Sequence, residues 1–455
     1  MYAKNAWEKY AHNEYKDVMD FNEGYKDFIS LGKTERACVR ESLKLAREKG
    51  FKSIEEYSSL KAGDKVYVIN KDKNIALFIM GEKPLQEGMR ILGAHIDSPR
   101  LDLKQNPLYE SDGFALLDTH YYGGVKKYQW VTIPLSLYGV VVKKDGTVVD
   151  VVIGEDDNDP VVGISDLLIH LAADQLQKPA AKVIEGEALD VTIGSIPLKD
   201  EEKDAVKANI LKLLKEKYDI EEEDFLSAEI EVVPSGKARD YGMDRSMIMG
   251  YGHDDRVCAY TSLKAILDIE NPKYTACCIL VDKEEIGSVG ATGAQSLFFE
   301  NTVAELLHLC NDDSFLSVRK TMANSMMLSS DVSAGFDPLF KEVNDSKNAA
   351  YLGKGIVFNK YTGARGKSGS NDANPEYFAK IRKVMDENHI HFQTAELGKV
   401  DQGGGGTIAY ILGNYDMNVI DAGIAVLNMH APAEIVSKVD VYEGYLAYKV
   451  FLLEM

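Results

Sequence analysis

Thr275-Ala276-Cys277-Cys278-Ile279-Leu280-Val281-Asp282-Lys283-Glu284-Glu285-Ile286-Gly287 is the stretch whose reading decides the fold. Its apolar run is too short for a helix, carries β-favouring residues and breaks abruptly into acids, so it reads as a buried strand with a polar loop at its carboxyl end. An amphipathic helical pattern, Arg256 to Leu267, precedes it, and Gly290 to Phe299 reads as helical after it. The same texture occurs nearer the N-terminus. Thr34 to Lys49 reads as a helix: Thr34 is placed to cap it, Val39, Leu43 and Ala46 share a face, and Gly50 follows its end. Val66 to Ile69, Ala76 to Met80 and Arg90 to Ala94 then read as strands. Alternation of strand and helix predicts an α/β class: a mostly parallel, doubly wound sheet with helices on both faces.

Between about Ser98 and Ile248 the texture changes. Ile133 to Lys143 and Val148 to Ile153 read as strands joined by an Asp145-Gly146 turn. The region also holds an acidic loop, Glu155 to Asp159, and a charged helical stretch, Lys199 to Lys217. The expected organisation is therefore one α/β domain, 1–97 plus 249–455, interrupted by a β-rich insertion, 98–248.

A chain of 455 residues exceeds the size at which one core usually stops growing, which agrees with two domains. An apolar fraction of 45% with 27% charged residues is ordinary for a soluble protein. The 72 acids against 52 bases give a formal charge of −20, which argues against a nucleic-acid partner. No segment approaches the roughly 20 apolar residues of a membrane span, and the N-terminus carries no targeting pattern. Five cysteines in largely apolar surroundings read as reduced, packed thiols. A cytoplasmic location is expected. Neither glycine-rich stretch, Gly403 to Gly406 or Tyr361 to Ser370, has the spacing of a phosphate-binding loop.

Candidate chemistry concentrates in five segments near predicted strand ends, where open parallel sheets bind ligands. In Ala94-His95-Ile96-Asp97-Ser98-Pro99 the two-residue spacing puts His95 and Asp97 on one side of an extended chain, so the carboxylate is placed to fix the tautomer of a ligating imidazole. His253-Asp254-Asp255-Arg256 opens an apolar helix; the acids there serve as caps, as ligands or as both. In Glu284-Glu285 one carboxylate can neutralise a cation while its neighbour accepts a proton. Met327-Leu328-Ser329-Ser330-Asp331 ends an apolar run in an acid, and Ala425 to Met429 runs into His430. Each segment alone is more often structural. Together they supply, in a chain with nine histidines, two histidines and several carboxylates at strand ends, a donor set for a pair of divalent ions such as zinc or manganese.

With these residues in place, the chain resembles the M18 aminopeptidases, the aspartyl aminopeptidase and aminopeptidase I group of the co-catalytic zinc peptidases. The matching stretches are Gly93 to Leu101, Asp254-Asp255-Arg256, Asp282 to Ser288 with Gly293 to Leu297, Ser330-Asp331, Gly405 to Ile408 and Asn428 to Ala431. The resemblance implies a dinuclear aminopeptidase that removes N-terminal residues from peptides. It implies two divalent ions, zinc first, with manganese or cobalt as alternatives. One ion would be held by His95 and Asp331, the other by Glu285 and His430, with Asp254 bridging. Glu284 would be the general base and Asp97 the partner of His95. Taking Asp254 rather than Asp255 rests on the resemblance alone.

The resemblance further implies that the insertion is a dimerisation domain and that dimers assemble into a dodecamer. His120 and His170 are candidates for completing a partner's pocket. Lys360, in the basic loop with Arg365 and Lys367, is a candidate for contacting substrate, and an acidic N-terminal residue is expected ahead of a neutral one. Two departures weigh against strict acid specificity: Asp401-Gln402-Gly403-Gly404-Gly405-Gly406 replaces a more polar, cysteine-containing turn, and Val125-Lys126-Lys127 replaces a tryptophan-rich run. The alternative readings are an aminopeptidase of neutral or apolar preference, a carboxypeptidase or deacylase of the same clan, and a scaffold without catalysis.

Overall fold

The structure is a computed structural model describing residues 4–10, 15–156 and 158–455, without the side chains of residues 364 and 365. The chain forms two compact units: Met1–Asp97, Ala238–Met429 and Ala433–Met455 make the first, Ser98–Lys237 and His430–Pro432 the second.

The first unit opens with helices α1 (Tyr15–Leu31) and α2 (Glu35–Glu48) and strands β1 (Lys52–Ser53), β2 (Lys65–Asn70), β3 (Asn74–Ile79) and β4 (Arg90–His95). Thr34 caps α2 through its side chain, accepting from Ala37 N–H, as its position predicts. The second unit holds β5 (Arg100–Ser111), β6 (Phe114–Tyr122), β7 (Leu135–Val142), β8 (Val148–Ile153), β9 (Val191–Gly194), helix α3 (Ala205–Tyr218) and β10 (Ala228–Pro234). These strands form one antiparallel sheet in the order β8-β7-β10-β5-β6-β9.

The rest of the first unit carries β11 (Arg239–Tyr241), β12 (Met247–Gly250), α4 (His253–Leu267), β13 (Ala276–Val281), α5 (Phe298–Leu309), α6 (Phe315–Asn324), β14 (Met326–Ser329), β15 (Ser333–Ala334), β16 (Ile356–Asn359), α7 (Ala364–Lys367), α8 (Pro375–Glu387), β17 (Phe392–Thr394), α9 (Ala409–Gly413), β18 (Asn418–Gly423), β19 (Ala425–Leu427), β20 (Glu434–Ser437) and α10 (Lys438–Glu454). Residues 238–248, read from sequence as the end of the insertion, lie in the first unit because β11 pairs with β12 and β12 with β20. The helix expected over Gly290 to Phe299 starts only at Phe298. A Cβ at Gly293 would stand 2.1 Å from the Ser288 carbonyl oxygen, so this stretch is a tight turn and not the first turns of a helix.

The fold is mixed α/β. Nine strands form a sheet in the order β1-β2-β3-β13-β4-β14-β18-β16-β17. Its centre, β13-β4-β14-β18, is parallel, while β2-β3, β3-β13 and β16-β18 are antiparallel. Side chains alternate across the sheet. Ile75, Leu77, Leu92, Cys278, Leu280, Leu328 and Ile420 pack with α4 and α10 residues into one core. Ala76, Phe78, Ile91, Cys277, Ile279, Met327 and Val419 pack with α5, α6 and α9 residues into a second. This is why the central strands read as unbroken apolar runs: both faces are covered. The five cysteines are free thiols. Among the described residues no helix is long and apolar enough to cross a membrane.

Candidate metal centre

The parallel register aligns the carboxyl ends of the central strands. Val281 of β13 pairs with His95 of β4, and Ser329 of β14 with Gly93 of β4, so the loops carrying Asp97, Glu284, Glu285 and Asp331 leave the sheet side by side. His95 is 1% exposed and Asp97 0%. His95 Nδ1 lies 3.3 Å from Asp97 Oδ1 and 3.0 Å from the Asp97 carbonyl oxygen. The other face of the ring looks at acids: Nε2 is 3.2 Å from Asp254, 3.9 Å from Glu284 and 4.0 Å from Asp331. Asp97 also accepts the backbone N–H groups of Glu284 and Glu285.

Asp254 and Asp255 arrive from the opposite side, at the start of α4, joined by a cis peptide. Asp255 Oδ2 accepts the His95 N–H at 3.3 Å, and the Asp254 N–H donates to Glu434 Oε2 at 3.0 Å. Arg256 is fully buried; its guanidinium donates to the carbonyl oxygens of Ile96 and Lys33. His253, also buried, faces the Tyr25 hydroxyl at 2.5 Å through Nδ1. Sequence reasoning attached no role to Arg256, Glu434 or Tyr25. The available signal for Glu434 was a charged residue opening the otherwise apolar run Glu434-Ile435-Val436.

The electrostatics of this cluster are those of a site short of positive charge. Burial lifts the Asp331 carboxyl well above the carboxylate range; the Asp255 charge lifts it further, the His95 charge pulls it back, and Glu284 and Asp254 add to the rise. Burial likewise raises Asp255, against His95 and with Asp254. For His95, burial pushes the imidazole down, but the contacts with Asp254 and Asp97 and the charges of Asp97 and Asp255 carry it well above its ordinary range. Carboxylates crowded in this way favour a proton or a cation between them. His95, Asp254 and Asp331 each offer a ligand atom within 4.8 Å of the others, and His95, Glu284 and Glu285 make a second such set. Imidazole nitrogen with carboxylate oxygen fits zinc.

His430 groups with the second unit, its Nδ1 3.0 Å from the Gly124 carbonyl oxygen. His120, on β6, and His170, in the turn Ile169–Leu171, belong to the second unit and are exposed. Lys360 pairs with Asp372 at 3.1 Å, as does Lys367 at 2.9 Å; the Arg365 side chain lies outside the described residues.

A buried imidazole among carboxylates at the carboxyl ends of parallel strands, with a further glutamate at its rim, is the equipment of a metallohydrolase. The chain belongs to the M18 aminopeptidase family: the family profile described as aminopeptidase I zinc metalloprotease matches residues 28–452. It is 63% identical over 99% of its length to the probable M18 family aminopeptidase 1 of Clostridium acetobutylicum, covering 98% of that protein. An M18 aminopeptidase crystal structure from Thermotoga maritima superposes with a TM-score of 0.97 at 45% identity, each chain covering 100% of the other. A more distant solved structure, the S. cerevisiae mApe1 dodecamer, shares the fold at a TM-score of 0.77 and 22% identity, with 97% of each chain covered. The chain is thus a zinc-family metalloaminopeptidase, a hydrolase of peptide bonds.

Proposed function

We propose that the enzyme is a dinuclear aminopeptidase in which His95 and Asp331 hold one ion, Glu285 and His430 the other, and Asp254 both. The cluster around His95 carries this reading, because its acids outnumber any positive charge the chain itself provides there. The donor types of Asp254, Glu285 and His430 suit a second zinc. Zinc, when bound, supplies Lewis-acid chemistry that polarises a carbonyl and acidifies water.

The chain's own part in catalysis is positional and acid–base. Glu284, half-buried at the rim and fixed through its backbone N–H by Asp97, accepts a proton from the attacking water and returns it to the departing amine. Asp97, facing His95 Nδ1, favours the tautomer that leaves Nε2 free to ligate.

The substrate is a peptide with a free N-terminus, with acidic first residues preferred. Lys360 in the basic loop near Lys367 is the proposed contact for an acidic side chain; its pairing with Asp372 favours a weaker, neutral-tolerant preference. The second unit acts as a dimerisation domain, for which the exposed Leu167, Leu168, Ile169 and Leu171 provide apolar surface. Dimers build a dodecamer of the kind named for the yeast relative, with His120 or His170 reaching a partner's pocket. The proposed location is the cytoplasm.

The test is release of the first residue from free and N-blocked peptides with acidic or neutral N-termini, with and without chelator. Chelator-sensitive release from free peptides only is expected, with kcat lowered roughly 10²–10⁴-fold in Glu284→Gln while zinc stays bound. Cleavage of blocked peptides would move the assignment to a deacylase or carboxypeptidase, and zinc binding without any turnover to a scaffold.

A further inference from the structure

We infer that Glu434 is a positioning residue for the metal centre, fixing Asp254 through its backbone; this rests on the dinuclear reading above. The placement follows from strand register. β12 and β20 are antiparallel with Gly250 opposite Glu434, so the first residue of β20 stands beside the last residue of β12. The chain leaves β12 through Tyr251 and Gly252, the latter at φ +78°, and turns directly into His253-Asp254. The Glu434 side chain spans this turn, and its Oε2 accepts the Asp254 N–H at 3.0 Å. The strand end packs closely there: a Cβ at Gly250 would come within 3.1 Å of the Ala238 Cβ and 3.5 Å of the His253 Nε2.

Glu434 is 1% exposed, beside Asp254 and Asp255, which are themselves buried. A further buried carboxylate among acids is costly for the fold alone. The arrangement makes sense when cations fill the cluster: the charge is then balanced, and a charge-assisted bond to the Asp254 backbone holds its carboxylate facing His95 Nε2 at 3.2 Å. Arg256 anchors the other segment, donating to the Ile96 carbonyl oxygen between His95 and Asp97. The two residues thereby hold the two backbone segments that carry Asp254 and His95. Groups that orient ligands typically tune metal affinity as strongly as they tune turnover.

The test compares wild type, Glu434→Leu and Glu434→Gln by competition for zinc against a chromophoric chelator, alongside thermal unfolding and kcat at saturating zinc. Glu434→Leu is expected to fold and to bind zinc roughly 10–100-fold more weakly. Glu434→Gln, which keeps an acceptor at the same reach, is expected to recover most of that loss. A folded Leu variant with wild-type zinc affinity overturns the inference, and so does a Gln variant as defective as Leu. Should the Leu variant not fold, Glu434→Asp, whose carboxylate falls short by one methylene, replaces it with the same expected loss, and wild-type affinity in it overturns the inference. Zinc affinity is read without substrate, so a wild-type protein that binds zinc but releases no N-terminal residue rejects the aminopeptidase reading and leaves the Glu434 comparison decisive.

Discussion

The two carboxylate oxygens of Asp97 are divided between consecutive backbone groups, Oδ1 accepting the Glu284 N–H at 3.1 Å and Oδ2 the Glu285 N–H at 3.2 Å. The same carboxylate stands 3.3 Å from His95 Nδ1. One buried side chain thus ties the ends of two neighbouring parallel strands and orients three candidate site residues at once. Asp97→Ala leaves the Glu284 and Glu285 N–H groups without their acceptor and leaves His95 Nδ1 only the residue 97 carbonyl oxygen; zinc affinity and kcat/KM should each fall roughly 10–100-fold. Asp97→Asn, which keeps one oxygen, should fall in between. A zinc titration giving wild-type affinity for the alanine variant would show that the strand ends hold the site unaided.

If His430 closes the second metal position, its loss should remove one ion and spare the other, because His95 and Asp331 do not depend on it. His430→Phe, a replacement without a ligand atom, should lower zinc from two ions to one per chain by elemental analysis of the dialysed protein. Turnover should be largely lost. Retention of both ions would sink the assignment of this histidine.

Candidate site residues at strand ends were easier to pick out in the sequence than element boundaries and strand partners. Buried strands that end in acids are visible as apolar runs with an abrupt polar edge, as at Val281-Asp282 or Ser329-Ser330-Asp331, because charge is costly in a strand covered on both faces. The helix boundary at Phe298 was not visible, since the turn over 290–297 is set by a close approach between Gly293 and the Ser288 backbone. Strand pairing between distant segments was equally hidden: β12 with β20 draws 238–248 into the first unit, and no local pattern announces a partner almost two hundred residues on. Glu434 was passed over for the same reason. Its meaning lies in its position opposite Gly250, which only register reveals.

Asp440, in the first turn of α10, accepts the N–H groups of Gly353 and Gly355 at 2.6 and 2.7 Å, yet burial pushes its carboxyl up to about 7. An unfolded aspartate titrates near ~3.9. Between these values the folded chain holds a proton that the unfolded chain has released, so stability falls as pH rises and levels off above about 7. Asp421, raised by burial to about 6, acts with the same sign over a lower range. In zinc-saturated protein the Tm should therefore drop as pH rises toward about 7 and level off above it, and Asp440→Asn should flatten that drop. Identical slopes for the two proteins would show that this carboxyl does not titrate there.

Gly423, the last residue of β18, packs directly against the backbone of a candidate ligand. A Cβ at this position would lie 1.8 Å from the Asp331 carbonyl oxygen and 2.5 Å from its carbon, with Cys258 Sγ at 3.1 Å. The first two are backbone atoms, which no rotamer change can clear, so Gly423→Ala must move either the strand or Asp331. Overpacking of this kind costs about 1–3 kcal/mol. Gly93→Ala is the informative comparison, because its Cβ would meet the tip of Met327, 2.4 Å away, a flexible side chain able to swing aside. Both variants should lose Tm, but only Gly423→Ala should also lose zinc affinity, since only there is the displaced atom part of a residue facing His95. Equal zinc affinity in the two, with equal losses of Tm, would mean that the Asp331 backbone yields without carrying its carboxylate along.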